Sequence, residues 1–121
     1  MKFEFENNSP IYLQMVENIK TMIISGQLSA GERLPSVREI AADNKVNPNT
    51  VMKALADLED MKLIFTERTN GKFVTNDIAL IENEKRLYAE KLSATFVDRM
   101  GNLGYSIDDI KTFLNKTGGH E

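Results

Sequence analysis

The sequence predicts a mainly α-helical fold with one small β-hairpin, in which three N-terminal helices and the hairpin precede two C-terminal helices. Two observations lead to this prediction. Apolar residues recur at three- and four-residue steps over most of the chain, as they do along one face of an α-helix. The exception is a pair of β-prone runs, 63–68 and 72–75, separated by Thr69-Asn70-Gly71, and Asn-Gly is a strong hairpin signal.

The first two helices have recognisable starts. Helix 1 is expected to begin at Pro10 with Ser9 as its cap and to end near Gly26. Helix 2 is expected from Ser36 to about Asp43 or Asn44, because Ser36 and Glu39 have the spacing of a capping box. The residues of helix 1 that we assign to the core are Tyr12, Met15, Val16, Ile19, Met22 and Ile23.

The third helix is expected after Asn47, since Asn47-Pro48 combines an N-cap with a proline at the first helical position, and it reaches about Met61. A helical wheel separates two faces. The apolar face consists of Val51, Ala54, Leu55, Leu58 and Met61, and the exposed face consists of Asn49, Met52, Lys53 and Ala56.

Two more helices are expected after the hairpin. The long one, capped by Asn76 or Asp77, runs from residue 78 to about residue 100, where Gly101 and Gly104 interrupt it. The short one begins at Ser106 and ends by fraying after residues 117–119. Its residues expected to point inward are Ile107, Ile110, Phe113 and Leu114. We therefore divide the chain into residues 1–76 and 77–121.

The composition excludes several classes of protein. A net charge of −3 argues against a general nucleic-acid condenser, although a local basic patch is enough to read a DNA sequence. With no cysteine and His120 as the single histidine, we expect no disulfide, no metal site and no cofactor. No stretch approaches the roughly 20 apolar residues of a membrane span, and residues 1–9 lack the order of a signal peptide. We therefore expect a cytoplasmic protein without a membrane partner.

The order of three helices and a hairpin is that of a winged helix-turn-helix, which places a recognition helix in the DNA major groove and a wing beside it. The residues that carry a closer resemblance are Ser25-Gly26, 31–41 (GERLPSVREIA), 46–51 (VNPNTV), Ala54-Leu55, Leu58-Glu59 and 71–74 (GKFV). Over about residues 10–75 the chain resembles the GntR family of bacterial regulators. The opening SPIYLQ at 9–14 and the two-helix tail resemble its YtrA-like subgroup, which implies a short dimeric repressor, often of a transport operon.

The resemblance also implies which residues bind DNA. It places Arg38 in the groove or at its backbone. It places Asn47, Asn49 and Thr50 at the start of the recognition helix, where side chains and helix N–H groups meet bases and phosphates. It also lets Gly71 bring the wing tip close to the minor groove.

Other residues near this surface are consistent with a structural role, with a DNA contact or with both. Lys72 lies beside the wing tip, whereas Arg33 and Arg68 fit a phosphate contact and an ordinary surface position equally well. Ser36 has a structural role as a helix cap, and Asn47 combines a capping role with a place next to DNA.

The exposed centre of the recognition helix departs from the family pattern. Many members have an arginine where this chain has Met52, and Lys53 follows it. A methionine can contact a thymine methyl group but cannot make the two hydrogen bonds that arginine makes to guanine. We therefore expect the base preference to depend on these two residues.

Two other classes of function fit the sequence less well. An enzyme is not expected, because Asp108-Asp109 has no nucleophile–base pair, phosphate-binding glycine loop or metal cluster to accompany it. A winged helix that only scaffolds other proteins is the alternative, and the convergence of Arg38, Asn49, Lys53 and Lys72 on one face argues against it. Residues 77–121 form only two helices, so we expect no dedicated small-molecule pocket.

The long helix carries apolar residues on two sides. Those expected to pack onto the last helix or the winged domain are Ile78, Ile81, Tyr88, Ala89, Leu92, Phe96 and Met100. On nearly the opposite side Leu80, Leu87 and Ala94 recur every seven residues, and a small isolated domain offers no second core to bury them. We predict that they form a homodimer interface for a palindromic operator on double-stranded DNA, the alternative being surface leucines of a monomer.

Overall fold

The computed structural model describes residues 1–118, which form five helices and one two-stranded antiparallel sheet. The elements are α1 Ile11–Ile24, α2 Val37–Asn44, α3 Pro48–Asp60, β1 Ile64–Glu67, β2 Gly71–Val74, α4 Ile78–Asn102 and α5 Ile107–Thr117. The predicted fold class is thus confirmed. The prediction on His120, and the last residue of the predicted frayed end, lie outside the described residues. Over the described part of the chain, no helix combines the length and apolar character needed to cross a membrane.

The predicted caps of α2 and α3 are confirmed. The Ser36 hydroxyl accepts a hydrogen bond from the Glu39 N–H at 3.0 Å, and the Glu39 carboxylate accepts one from the Ser36 N–H at 2.9 Å. The hydrogen bond from the Ser36 N–H, followed by a smaller one with the Ser36 side chain, holds the pKa of the Glu39 carboxyl below its ordinary value. At the start of α3 the Asn47 side chain accepts the Asn49 N–H at 2.8 Å. The start of α5 repeats the capping box of α2 with Ser106 and its own acidic partner.

Three predicted boundaries are wrong by small amounts. Ser9 does not cap α1: Pro10 is the N-cap residue, and the Ser9 carbonyl instead accepts the side chain of Gln14 at 2.9 Å. Helix α4 runs through Gly101, because one glycine costs only about 1 kcal/mol in a helix whose hydrogen-bond ladder is already formed. Gly71 is the first residue of β2, paired with Glu67, rather than the last turn residue.

The buried core lies between α1, α3 and the residues that flank them. Helix α3 packs against α1, α2 and β1, and its predicted apolar face is buried except for Met61, which is half-buried. Tyr12 and Met22 of α1 are also only half-buried. The largest side chains that are fully enclosed are Met15, Ile19, Ile23, Ile40, Val51, Leu55, Leu58, Leu63 and Val74.

The segment before α2 pairs with the free edge of β2. The Gly31 N–H donates to the Val74 carbonyl at 3.0 Å, and the Leu34 N–H donates to the Lys72 carbonyl at 2.8 Å. Gly31 has φ of +79°, a conformation that favours glycine, and a Cβ there would lie 2.6 Å from the Asn76 side-chain oxygen, so a larger residue would displace that side chain. Strand β2 is therefore paired on both of its edges, by β1 and by this segment, and the hairpin is fixed next to the start of α2.

The chain divides into two compact units, Met1–Glu84 and Lys85–Glu121, so the division falls within α4. In the described part of the second unit, Ile110 is the one buried residue. The prediction that Ile107, Phe113 and Leu114 point inward is wrong, since their exposed fractions are 53%, 41% and 51%. A pair of helices has one line of contact, and it cannot cover apolar residues spread around both.

Helix α4 has no fully buried residue, and the prediction that its first apolar side packs within the chain is met only in part, since Ile81, Tyr88 and Met100 are half-buried and the other four residues are exposed. Ile81 is half-buried against the core of the first unit. Leu92 and Phe96 are exposed by 56% and 40%, and Ile78 by 58%. The second side is exposed as well at Leu87, by 46%.

Candidate nucleic-acid interface

Helices α2 and α3 are joined by a tight turn centred on Lys45. This residue has φ of 54°, the left-handed conformation that commonly ends a helix. The N–H of Val46 then donates to the Ala41 carbonyl at 3.1 Å, which closes α2. Helix α3 packs its apolar face against α1 and α2. Its first turns and its outward face are therefore left accessible to a ligand.

The backbone at the start of α3 has little hydrogen-bonding capacity left. Pro48 has no N–H, and the Asn49 N–H is bound to the Asn47 side chain. The Thr50 N–H donates to the Asn47 carbonyl at 2.9 Å. The helix N–H groups that we expected to meet phosphates are thus already bonded within the chain, so side chains are the groups that this end of α3 offers to a ligand.

The outward face of α3 is the one that the helical wheel predicted. Its exposed residues are Asn49, Met52, Lys53 and Ala56. The side chain of Met52 is 51% exposed, and Thr50 beside these residues is half-buried. The face therefore presents an amide, a thioether and an ammonium group, which between them can contact base edges and a phosphate.

Lys53 has a partner that the sequence did not indicate. Its Nζ atom lies 3.8 Å from the centre of the Tyr12 ring, a cation–π contact between α3 and the start of α1. The apolar spacing of α1 predicts that Tyr12 lies in the core, but its half-buried ring also reaches the outward face of α3. No local pattern signals this contact, because it depends on how α1 packs against α3.

The wing and the segment before α2 enclose a cleft of about 340 Å³. It brings together five residues that the sequence singled out separately: Arg33, Ser36, Arg68, Gly71 and Lys72. Gly71 has φ of +106°, and a Cβ there would lie 3.3 Å from the Arg33 Nε atom. Glycine at this position thus permits both the backbone turn and the close approach of the arginine.

Lys72 is held by neighbours within the protein. Its ammonium group donates to the Glu59 carboxylate of α3 and to the Thr66 hydroxyl, 2.8 Å away on the paired strand. The hydrogen bond from Lys72 is the main cause that lowers the pKa of Glu59, and partial burial opposes it. This network links the wing to α3 and compensates the charge of Lys72. The role of Lys72 in DNA binding stays a prediction.

Four other cations on this surface are not compensated in this way. The exposed residues are Arg33, Arg38, Lys53 and Arg68. Within residues 1–118 none of them forms an ion pair. Arg38 lies in the first turn of α2, whereas Arg33 and Arg68 line the cleft at the wing. Unpaired cations of this kind are what a phosphate backbone attracts.

The variant Lys72→Met is expected to lower the free energy of unfolding by about 0.5–1 kcal/mol at neutral pH, the range for a partly exposed ion pair. The pKa of Glu59 is lowered in the folded protein, so its contribution is present above the ordinary glutamate pKa. It is lost as the pH falls through the lowered pKa. Urea unfolding of both proteins at pH 7 and pH 3 measures this, and a difference that persists unchanged at pH 3 contradicts it.

Comparison with known proteins gives a family match over the segment that carries this surface. Residues 11–74 match the family model described as bacterial regulatory proteins, gntR family. The HTH-type transcriptional regulator YhcF of Bacillus subtilis is 32% identical over 117 residues, 93% of this chain and 97% of YhcF. The HTH-type transcriptional repressor YtrA of the same organism is 34% identical over 94 residues, 76% of this chain and 72% of YtrA.

Two solved structures have a fold similar to that of this chain. A GntR family transcriptional regulator from Listeria monocytogenes has a TM-score of 0.89 and 38% identity, covering 93% of this chain and 99% of that protein. The DNA-binding domain of AraR in complex with operator ORX1 has a TM-score of 0.55 and 25% identity, covering 62% of this chain and 95% of that domain.

Proposed function

Because this chain belongs to the GntR family of bacterial regulatory proteins, and to its YtrA-like subgroup, we propose that it represses transcription by binding a palindromic operator as a homodimer. The observation that carries the proposal is the set of exposed, unpaired cations around the outward face of α3. The similar AraR domain is bound to an operator, and the similar YtrA is named a repressor. A transport operon is the target that the subgroup resemblance implies.

Selection of bound fragments from a random DNA pool tests the proposal. We expect enrichment of an inverted repeat whose half-sites lie about one helical turn, roughly 10 base pairs, apart, because each subunit of a two-fold dimer reads one half-site. A folded protein that enriches no motif would favour the alternative, a scaffold for other proteins.

The dimer is supported by apolar side chains of α4 that the described part of the chain leaves wholly or partly exposed. Leu80 is half-buried, Leu87 is 46% exposed and Ala94 is exposed, all on one side of the helix. Leu92 and Phe96 are exposed on the other side. A small monomer seldom exposes so many large apolar side chains on one short segment, and a second copy can bury them.

The variant Met52→Arg is expected to change the base preference. Met52 is half-exposed on the outward face of α3, and arginine at this point supplies two donors that match guanine O6 and N7. The selected motif should gain guanine at one position in each half-site, with a preference of about 1–3 kcal/mol over the other bases. Parallel selections with both proteins measure it, and identical motifs would mean that residue 52 does not face the bases.

A further inference from the structure

Lys53 and Lys72 differ in the group that contacts their ammonium nitrogen. Lys72 contacts a carboxylate, that of Glu59, so its positive charge is largely compensated. Lys53 contacts the ring of Tyr12, which attracts a cation through its electron-rich face but carries no net charge. The ammonium group of Lys53 is therefore fixed in position and keeps its full charge for an anion.

The geometry of α3 makes this contact informative. Asp57 lies one turn beyond Lys53, at the i, i+4 spacing where a carboxylate and an ammonium commonly pair on a helix. No ion pair between them occurs in the described chain. The lysine side chain instead reaches across to α1, so the aromatic ring competes successfully with a nearby acid.

We propose that Tyr12 is a positioning residue for DNA binding, which holds the Lys53 ammonium where it contacts a backbone phosphate beside the recognition helix. Since the N–H groups at the start of α3 are occupied, a side chain has to supply the phosphate contact there, and Lys53 is the side chain of this face that adds a positive charge to that contact. An ammonium already held on the ring loses less conformational entropy on binding than a free lysine side chain. This inference rests on the proposed function and names the phosphate contact of that same surface.

The experiment measures operator affinity over a series of salt concentrations, using the DNA selected by the wild-type protein. We expect Lys53→Met to reduce the slope of log affinity against log salt by about 0.9 per subunit, the value for one lost phosphate contact on duplex DNA. Lys62→Met is the matched control, because Lys62 is an exposed lysine just beyond the opposite end of α3. It should leave the slope unchanged.

Tyr12 is tested by a conservative and a disruptive variant. Tyr12→Phe keeps the ring and should bind like the wild type, whereas Tyr12→Leu should weaken binding about two- to five-fold per subunit, the range for an exposed cation–π contact. In the Lys53→Met background Tyr12→Leu should have no further effect on affinity, which separates positioning of the lysine from a general loss of stability. Circular dichroism checks that each variant is folded.

Failure of the proposed function and failure of the roles given to Lys53 and Tyr12 lead to different results. If the wild-type protein selects no DNA, the proposed function fails. If it selects DNA but Lys53→Met keeps the wild-type salt slope, the phosphate contact of Lys53 is refuted and the function stands. If Tyr12→Leu binds as tightly as the wild type or more tightly, the positioning role of Tyr12 is refuted. If Tyr12→Leu weakens binding equally with and without Lys53, the tyrosine acts only on the fold and the positioning role is refuted.

Discussion

Replacing Arg38 with alanine is expected to weaken operator binding between about 30-fold and 10⁴-fold, because a contact worth about 1–3 kcal/mol per half-site is lost twice in a dimer. Arg38 is exposed in the first turn of α2 and has no ion-pair partner in the described chain, so its guanidinium group is available to DNA. Alanine is the best helix former, and the free energy of unfolding should change by less than about 0.5 kcal/mol. Fluorescence anisotropy with labelled operator measures the affinity.

The conservative variant Arg38→Lys separates two contributions to this effect. It keeps the charge but loses the forked geometry of the guanidinium group. If Arg38 bonds a base, Arg38→Lys should bind almost as weakly as Arg38→Ala and should tolerate other bases at one position. If Arg38 bonds a phosphate, Arg38→Lys should keep most of the affinity. Wild-type affinity of Arg38→Ala at every salt concentration would refute the contact altogether.

Leu87→Glu is expected to convert the dimer into folded monomers and to abolish most operator binding. Burial of a leucine contributes about 1.5–3 kcal/mol, and a symmetric interface loses it twice, so the dimer dissociation constant should rise by at least about 100-fold. The new carboxylates would also face each other across the two-fold axis. Because Leu87 is 46% exposed in the single chain, the substitution should leave the fold intact. Sedimentation equilibrium measures the dissociation constant.

The control for this variant is Asn115→Glu, which adds the same charge to the second unit at an exposed position of α5, on the side away from Ile110. It should dimerise like the wild type. Leu92→Glu tests the other side of α4, which the structure also leaves exposed. A wild-type monomer at micromolar concentration would refute the dimer, and a dimeric Leu87→Glu combined with a monomeric Leu92→Glu would move the interface to the other side of the helix.

The local features of the fold could be predicted from the sequence. The capping box at Ser36, the Asn47-Pro48 start of α3 and the hairpin at Asn70 were all found because each depends on residues within about four positions of one another. The apolar face of α3 was found for the same reason, since its period is a property of the helix itself.

The tertiary structure alone decided which cations are free to bind DNA and which apolar residues remain exposed. The sequence treated Lys53 and Lys72 alike, but packing of α1 against α3 gives one of them an aromatic ring, and strand pairing gives the other a carboxylate. In the same way, the spacing of the apolar residues in α4 and α5 predicts that the two helices pack against each other. The structure nevertheless leaves Leu92, Phe113 and others exposed. Contacts between elements distant in the chain depend on how those elements pack, and a pattern within one element does not contain that information.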